Sequence, residues 1–355
     1  MRRWAAVSLG VIIGLAAGLI GWRLLISNAE NPPDPLLLYD DYPVWSPDGQ
    51  SIAFVSGRSG SQNIWRMDTT GAQLQQLTRT QIGGYYDLAW SPDGQQIAYS
   101  YFDGADQANV WIMAQDGSQS LQISQNPAYS SAGAHWSPDS QQLAYASIRP
   151  EQQASDIWIV NADGRDAQVI TSDENLFFLT PIWSQDGSQI AFLQDADQEM
   201  NLWLWDVVAN QLSTLTTRLR IYGMSWSPDN RQLVFFKDYI PTGIWAYHIA
   251  ENDLDPLIID RQIQSANPQV SADGQYIYYE VLDYTGKVSL WRMDIDGSNR
   301  VKLTPSLDQH PFRGGARWSP DASQVLFVSD FAADQNTDIW IMKADGTDPR
   351  NLTGK

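Results

Sequence analysis

The 355-residue sequence has no cysteine, three histidines and only 22 basic residues against 41 acidic ones, which gives a formal net charge of -19. Without cysteine there is no disulfide, no thiolate nucleophile and no Cys-ligated zinc or iron–sulfur centre. His135, His248 and His310 are far apart in the sequence, so a histidine-rich metal site is not expected and we predict no cofactor. The acidic excess also excludes the basic face that nucleic-acid binding requires, so nucleic acid is not an expected partner.

An apolar segment without charge lies at the N-terminus, from Trp4 to Trp22. A helix of about 19 residues nearly spans the hydrocarbon core of a bilayer. Arg2 and Arg3 precede the segment and an acidic chain follows it, so the positive-inside rule puts the N-terminus in the cytoplasm and the remainder in the periplasm or another extracytoplasmic space. We predict a membrane anchor at residues 1–26 and a polar linker at residues 27–35.

A cleaved signal peptide is the alternative interpretation, because small residues suited to a signal peptidase occur at 27–29. Against cleavage, the apolar run is longer than a typical signal-peptide core, and Arg23 lies between it and that candidate site. Gly10, Gly14 and Gly18 fall on one helix face, which would let two helices approach closely and form a homodimer. Glycine is also common in membrane helices that have no such contact.

One unit recurs seven times along the remaining chain. Its marker is WSPDG at 45–49 and 90–94, WSPD at 136–139, 226–229 and 318–321, WSQDG at 183–187 and VSADG at 270–274. Each marker follows an apolar strand and precedes a strand in which apolar and polar residues alternate. A third strand that contains tryptophan, such as 63–68, and a short closing strand, such as 350–353, complete the unit. Four short strands in every 43–48 residues predict an all-β fold, a seven-bladed β-propeller of four-stranded antiparallel blades over residues 36–355.

Tryptophan and turn chemistry support this prediction. All but three of the 16 tryptophans fall at two positions of the repeat, the end of the first strand and the middle of the third, which indicates packing between blades. In the marker, proline presets the turn and the fourth residue needs a positive φ, which glycine and asparagine accept readily. Ser140 and Ala322 stand at that fourth position, so we expect a strained or different turn in blades 3 and 7.

These units, with W-S-P-D-G, then I-A-F/Y, I-W-x-M-D and a closing L-T, resemble the WD-like propeller repeats of the TolB family over about residues 36–355. The resemblance implies an extracytoplasmic propeller. Two features depart from related proteins: residue 30 leads almost directly into the first blade, where TolB-like proteins have an α/β domain ahead of the propeller, and the sequence contains no G-x-S-x-G elbow of a linked peptidase domain. Related lyases are expected to use metal-binding histidines, which three dispersed histidines fit poorly. The resemblance therefore transfers no catalytic residue.

The loops between blades combine aromatic residues with arginines, a composition typical of protein-binding hot spots. It equally suits an anionic sugar, whose carboxylates pair with guanidinium groups. For each aromatic residue, the alternative is that it only packs the loop onto the ring. The predicted ligand- or partner-binding residues are Tyr85, Tyr86, Phe178, Arg218, Arg220, Tyr222, His310, Phe312, Arg313 and Arg317.

The sequence is compatible with two functions. The first is a membrane-anchored, non-enzymatic scaffold that binds another envelope protein or a peptide, since no catalytic set and no second domain are recognisable. The alternative is a glycan- or small-ligand-binding propeller, or a divergent carbohydrate-active enzyme, working in the central funnel. That alternative needs converging acids and bases, for which Asp87, Asp308 and His310 are the candidates.

Overall fold

The computed structural model describes residues 39–104, 107–124, 130–149, 154–171, 176–196, 199–238, 240–261, 263–283, 288–304, 312–329 and 337–354. The predicted anchor, the linker and the three glycines at 10, 14 and 18 lie outside these residues, as do Asp308 and His310. The described part of the chain contains no helix that is long and apolar enough to cross a membrane.

The described residues form seven antiparallel sheets, each built from a contiguous stretch of chain in sequence order. Blade 1 contains β1 (Asp40–Trp45), β2 (Ser51–Ser56), β3 (Asn63–Asp68) and β4 (Gln75–Gln76), and blade 2 contains β5 (Gly84–Trp90), β6 (Gln96–Phe102), β7 (Ala108–Ala114) and β8 (Leu121–Gln122). Blade 3 contains β9 (Ser130–Trp136), β10 (Gln142–Arg149), β11 (Ala154–Asn161) and β12 (Gln168–Val169), and blade 4 contains β13 (Phe177–Trp183), β14 (Gln189–Ala196), β15 (Glu199–Asp206) and β16 (Gln211–Thr214).

Blade 5 contains β17 (Ile221–Trp226), β18 (Gln232–Lys237), β19 (Gly243–His248) and β20 (Asp253–Ile259). Blade 6 contains β21 (Ile263–Ala266), β22 (Gln269–Val270), β23 (Tyr276–Asp283), β24 (Val288–Asp294) and β25 (Val301–Lys302), and blade 7 contains β26 (Phe312–Trp318), β27 (Gln324–Ser329), β28 (Asp338–Lys343) and β29 (Arg350–Asn351). The predicted seven-bladed, all-β propeller is confirmed. In blade 6 the inner strand is split into β21 and β22, which both pair with β23; Pro268 lies at the break, where it cannot donate to the sheet.

The marker turn has the same construction in every blade. In the first copy, the Ser46 hydroxyl donates to Asp48 Oδ1 at 2.5 Å and accepts from the Ser51 amide at 2.9 Å, while the Gly49 amide donates to the Ser46 carbonyl. Ser140 and Ala322 adopt φ of 62° and 55°, close to the 67° of Gly49. Of the two alternatives expected for blades 3 and 7, the strained turn is confirmed and the different turn is not: both blades keep the same turn with a strained backbone.

The core lies between blades. Buried apolar side chains of the described residues form seven clusters, one at each junction of neighbouring blades. The tryptophans that end the inner strands take part, as predicted, and some also bond across the junction: the indole of Trp45 donates to the Arg317 carbonyl at 2.9 Å and that of Trp136 to the Ala89 carbonyl at 3.1 Å. Large aromatic groups thus fill the wedge between twisted sheets.

The closing L-T strand has its own bond. The Thr78 hydroxyl accepts from the amide of Ile64 on the third strand, and Thr216 accepts from Leu202 in the same way. The ring closes through a cluster that joins blades 1 and 7 and through a parallel bridge between Tyr39 and Thr337. A parallel bridge between Met200 and Arg220 joins blades 4 and 5, so the closing junction is built like an internal one.

Candidate functional site

Backbone bulges surround the axis of the ring. In six of the seven inner strands of the described chain, the register with the second strand shifts at the same place. The residue three before the end of each of these strands has a positive φ; these residues are Tyr42, Asp87, Gly133, Thr180, Gly223 and Gly315. A left-handed backbone costs glycine little but costs a larger residue about 1–3 kcal/mol. Three non-glycine residues carry this strain at the axis, and such strain is commonly found at functional sites.

Three acidic residues lie around one arginine at this level of the axis. We call Asp41, Asp87 and Glu280 the carboxylate cluster. Burial raises the pKa of each of them, and the positive charge of Arg317 acts against that rise in all three. For Asp87 the pKa reaches about 6, although the amide of Gly133, Arg317 and the hydroxyl of Ser100 each lower it. The cluster therefore holds one group, Asp87, that exchanges its proton close to neutral pH.

Two polar atoms at the bulges have no partner. Asp87 Oδ2 and Thr180 Oγ1 are both buried, and neither has a hydrogen-bond partner among the described residues. An unsatisfied buried polar atom costs roughly 1–3 kcal/mol. Asp87 thus combines an unfavourable backbone conformation, a buried carboxylate and an unpaired oxygen, an arrangement that is unfavourable for stability alone.

A cavity of about 390 Å³ lies on the axis next to this level. We call it the axial cavity. Its wall contains the residue that immediately precedes the end of the inner strand in five successive blades, namely His135, Ile182, Ser225, Gln269 and Arg317. Residues of the marker turns, including Pro228, Ala272 and Pro320, line it as well. The cavity therefore lies at the end of the ring that carries the marker turns, whereas the binding residues had been predicted in the loops between blades.

Arg317 provides the positive charge of the axial cavity. Its Nη1 donates to the Ala316 carbonyl at 3.0 Å. Among the ion pairs of the described residues none involves Arg317, so its remaining N–H groups are free to meet an anionic group. The Gln269 amide also donates to the Ala316 carbonyl, at 3.1 Å, which leaves its oxygen as an acceptor.

His135 provides a neutral donor. Burial lowers the pKa of His135 to about 4, so the imidazole is uncharged at pH 7. Its Nδ1 accepts from the Trp183 amide at 3.3 Å. That bond assigns the ring proton to Nε2. His135 and Arg317 thus both offer N–H donors at the cavity wall, whereas the Ser225 hydroxyl already donates to the Trp226 carbonyl and accepts from the Val270 amide.

The structure distributes the predicted binding residues over different places. Tyr85 and Phe178 are 4% and 2% exposed and pack inside the junctions between blades, so a ligand cannot reach their rings. Tyr86 is buried as well, and burial and the charge of Asp87 raise the pKa of its hydroxyl. His310 lies outside the described residues, and for Phe312 and Arg313 only the strand is described.

The predicted residues of blade 5 form a separate group on the loop side. Arg220 lies 3.8 Å from the Asp238 carboxylate and bonds the side chain of Tyr222, while Arg218 is exposed in a turn. Of the predicted residues whose side chains the structure describes, only Arg317 lines the axial cavity. Its binding role stays a prediction, as do those of the others. Sequence reasoning did not select Asp41, Ser225, Gln269 or Glu280, although polar residues just before the end of an otherwise apolar strand were a usable signal.

The fold and site define a TolB-like β-propeller, as the sequence resemblance predicted. The family model described as the Tricorn protease N-terminal beta propeller domain matches residues 38–239, more than half of the chain. The chain belongs to this family. A curated relative, an uncharacterized protein of Agrobacterium fabrum, is 29% identical over 152 residues, which is 39% of this chain and 48% of that protein. The chain thus spans about half the length of that relative.

Similar solved structures extend the comparison of the fold. An oligogalacturonate lyase from Vibrio parahaemolyticus is 15% identical with a TM-score of 0.70, over 86% of this chain and 90% of that one. A prolyl endopeptidase is 12% identical with a TM-score of 0.70, over 93% of this chain and 51% of that one. TolB from Acinetobacter baumannii is 17% identical with a TM-score of 0.52, over 76% of this chain and 78% of that one. At such identities the likeness shows the fold alone.

These similarities correct the leading interpretation of the sequence. A non-enzymatic protein-binding scaffold was predicted, but proteins that share the propeller over most of this chain are enzymes by name, a lyase and a prolyl endopeptidase. The scaffold prediction is therefore wrong, and the alternative of a glycan or small-ligand site in the funnel is better supported. Two aromatic residues assigned to the scaffold surface, Tyr85 and Phe178, are also buried.

Proposed function

We propose that this chain is a carbohydrate-active propeller that binds a small acidic saccharide in its axial cavity. The observation that carries the proposal is Arg317, a guanidinium without an ion pair among the described residues, at the wall of a 390 Å³ cavity on the ring axis. The volume is that of a small-ligand site. The name of the similar oligogalacturonate lyase suggests uronate oligosaccharides as the first ligands to test.

Arg317 would receive the carboxylate of the saccharide. Guanidinium and carboxylate groups form paired, charge-assisted hydrogen bonds, which are stronger than bonds between neutral groups. The His135 Nε2–H can donate to a further oxygen of the ligand, and the Gln269 side chain can accept from a sugar hydroxyl. This combination suits a saccharide that places one carboxylate at Arg317 and offers several hydroxyl groups to the other residues.

Asp87 is the candidate acid–base group. With a pKa of about 6 it holds a proton in mildly acidic solution and releases it near neutrality, as a proton-transferring residue must. It lies farther from the marker turns than the cavity wall does, because it precedes the end of its strand by three residues instead of one. Its charge and that of Arg317 act on one another, so binding of an anion to Arg317 would raise the pKa of Asp87 further.

A metal centre of the kind expected in related lyases does not fit this site. Among the described residues no three histidine, aspartate or glutamate side chains are arranged to hold a metal ion. The axial cavity contains a single histidine, and its Nδ1 already accepts a backbone hydrogen bond. We therefore derive no step that uses a metal.

The test is calorimetric titration of the full-length protein with galacturonate trisaccharide and with its methyl ester, in which the carboxylates are neutral. We expect the acid to bind and the ester to bind more weakly. Arg317→Ala should lower the affinity for the acid about tenfold to a hundredfold, which corresponds to the loss of a hydrogen bond to a charged group. Arg220→Ala is the matched control, because that arginine lies beside Asp238 away from the cavity. Equal affinity of wild type and Arg317→Ala, or no binding of either saccharide, would refute the proposal.

A further inference from the structure

Glu280 occupies a position that carries no charge in the other blades. It follows Tyr279, which pairs with the third-strand Trp291. The equivalent residues in the other blades, each directly after the residue that pairs with the third-strand tryptophan, are Val55, Ser100, Ala146, Leu193, Phe236 and Val328. Five of these six are apolar. A carboxylate in this row is costly to bury and needs a specific set of partners.

The partners of Glu280 belong to the next blade. Its Oε1 accepts from the amide of Ala316 at 2.6 Å, and the carboxylate also bonds the amide of Gly315. Gly315 is the left-handed bulge residue of blade 7, with φ of 73°. Ser100, the equivalent residue of blade 2, likewise accepts from the amide of Gly133, the bulge residue of blade 3, at 3.4 Å. A contact between the second strand of one blade and the bulge of the next therefore occurs twice, from blade 2 to blade 3 and from blade 6 to blade 7. In the second case the acceptor is the carboxylate of Glu280.

The bulge held by Glu280 leads directly into Arg317. Between them stands Ala316, which is 1% exposed; its amide binds Glu280 and its carbonyl accepts from the side chains of Arg317 and Gln269. The charge of Arg317 also acts on Glu280. A single residue, Ala316, therefore connects the buried carboxylate to two residues of the axial cavity.

We propose that Glu280 is a positioning residue that fixes the blade 7 bulge and thereby sets the place of the Arg317 guanidinium in the axial cavity. The inference rests on the proposed function as far as ligand binding is concerned. It goes further in assigning a role to a residue of blade 6 that does not line the cavity. The physical basis is that two amides bound to one carboxylate resist the local opening that a glycine-containing bulge otherwise allows.

The experiment compares Glu280→Ala, Glu280→Gln and Leu193→Ala with the wild type in the full-length protein. Glutamine keeps an oxygen that can accept from both amides but loses the charge. Leu193 is the equivalent core residue of blade 4, 1% exposed, so Leu193→Ala reproduces a general loss of stability without touching blade 7. Hydrogen–deuterium exchange of residues 312–318 reports on the bulge without any ligand, and titration with galacturonate trisaccharide reports on Arg317.

We expect exchange in residues 312–318 to accelerate about tenfold in Glu280→Ala and the saccharide to bind about tenfold more weakly, while Glu280→Gln stays near wild type in both. Leu193→Ala should lower thermal stability with neither of the two changes. Unchanged exchange in Glu280→Ala, or faster exchange with unchanged affinity, would overturn the inference. If the wild type binds no saccharide, the proposed function fails, whereas the exchange data still decide whether Glu280 holds the bulge.

Discussion

Replacing Asp87 by Asn should stabilise the folded protein at pH 8. The pKa of Asp87 rises from the usual 3.8 to about 6 on folding, so the folded state prefers the protonated form. Between these values the folded chain binds a proton that the unfolded chain releases, and stability falls as the pH rises. About two pKa units correspond to roughly 3 kcal/mol, an upper limit for the penalty that the wild type carries above pH 6. Asn removes the charge and keeps the shape.

The assay is urea unfolding followed by tryptophan fluorescence at pH 8 and at pH 4. We expect Asp87→Asn to gain up to about 3 kcal/mol over wild type at pH 8 and close to nothing at pH 4, where the wild-type carboxyl is protonated. Asp48→Asn is the control of opposite sign, because the Ser46 hydroxyl and the Gln50 amide hold the pKa of Asp48 below its usual value. A variant no more stable than wild type at pH 8, or an equal gain at both pH values, would refute the reasoning.

Two further predictions concern the turns and the N-terminus. Ala322→Gly should raise the free energy of unfolding by about 1 kcal/mol, because glycine adopts the positive φ at little cost. Gly274 stands at the equivalent position of blade 6, with φ of 69° and only ordinary contacts around it. Gly274→Ala should therefore lower the free energy of unfolding by a similar amount in the same denaturation assay. We also propose that residues 1–26 anchor an extracytoplasmic propeller. The full-length chain should then stay in the membrane pellet after alkaline carbonate extraction and should retain its N-terminal residues on sequencing, whereas release after residue 29 would favour the signal peptide.

The arrangement at Asp87 and Thr180 adds nothing to the stability of the fold. Asp87 combines a positive φ with a buried carboxyl group whose Oδ2 has no hydrogen-bond partner among the described residues, and Thr180 of blade 4 likewise combines a positive φ with an unpartnered oxygen. Each is unfavourable on its own, and Asp87 interacts electrostatically with Arg317, a cavity residue that has no ion pair among the described residues. Proteins commonly retain such residues where activity requires them and stability is sacrificed.

The sequence by itself determined the architecture. The marker turn, the third-strand tryptophan and the closing threonine recur at a fixed spacing, and each specifies a local structure: a turn, a packing contact and a bond between neighbouring strands. Seven such units leave little choice of fold, because a four-stranded sheet can bury its two faces only against its neighbours. The turn, the packing contact and the hydrogen bond of each unit were therefore sufficient to predict the number of blades and the order of their strands.

Only the tertiary structure decided where the site lies. Whether Asp41, Asp87 and Glu280 meet around Arg317 depends on the bulges of the inner strands. In a regular strand, side chains alternate between the two faces of the sheet; each bulge shifts the register and changes the direction of the side chains beside it. Those four residues come from four different strands and are up to 276 positions apart from Asp41 to Arg317 in the sequence. The raised pKa values of Asp41, Asp87 and Glu280 arise from burial, which the charge of Arg317 partly offsets, and both effects exist only once the ring has closed.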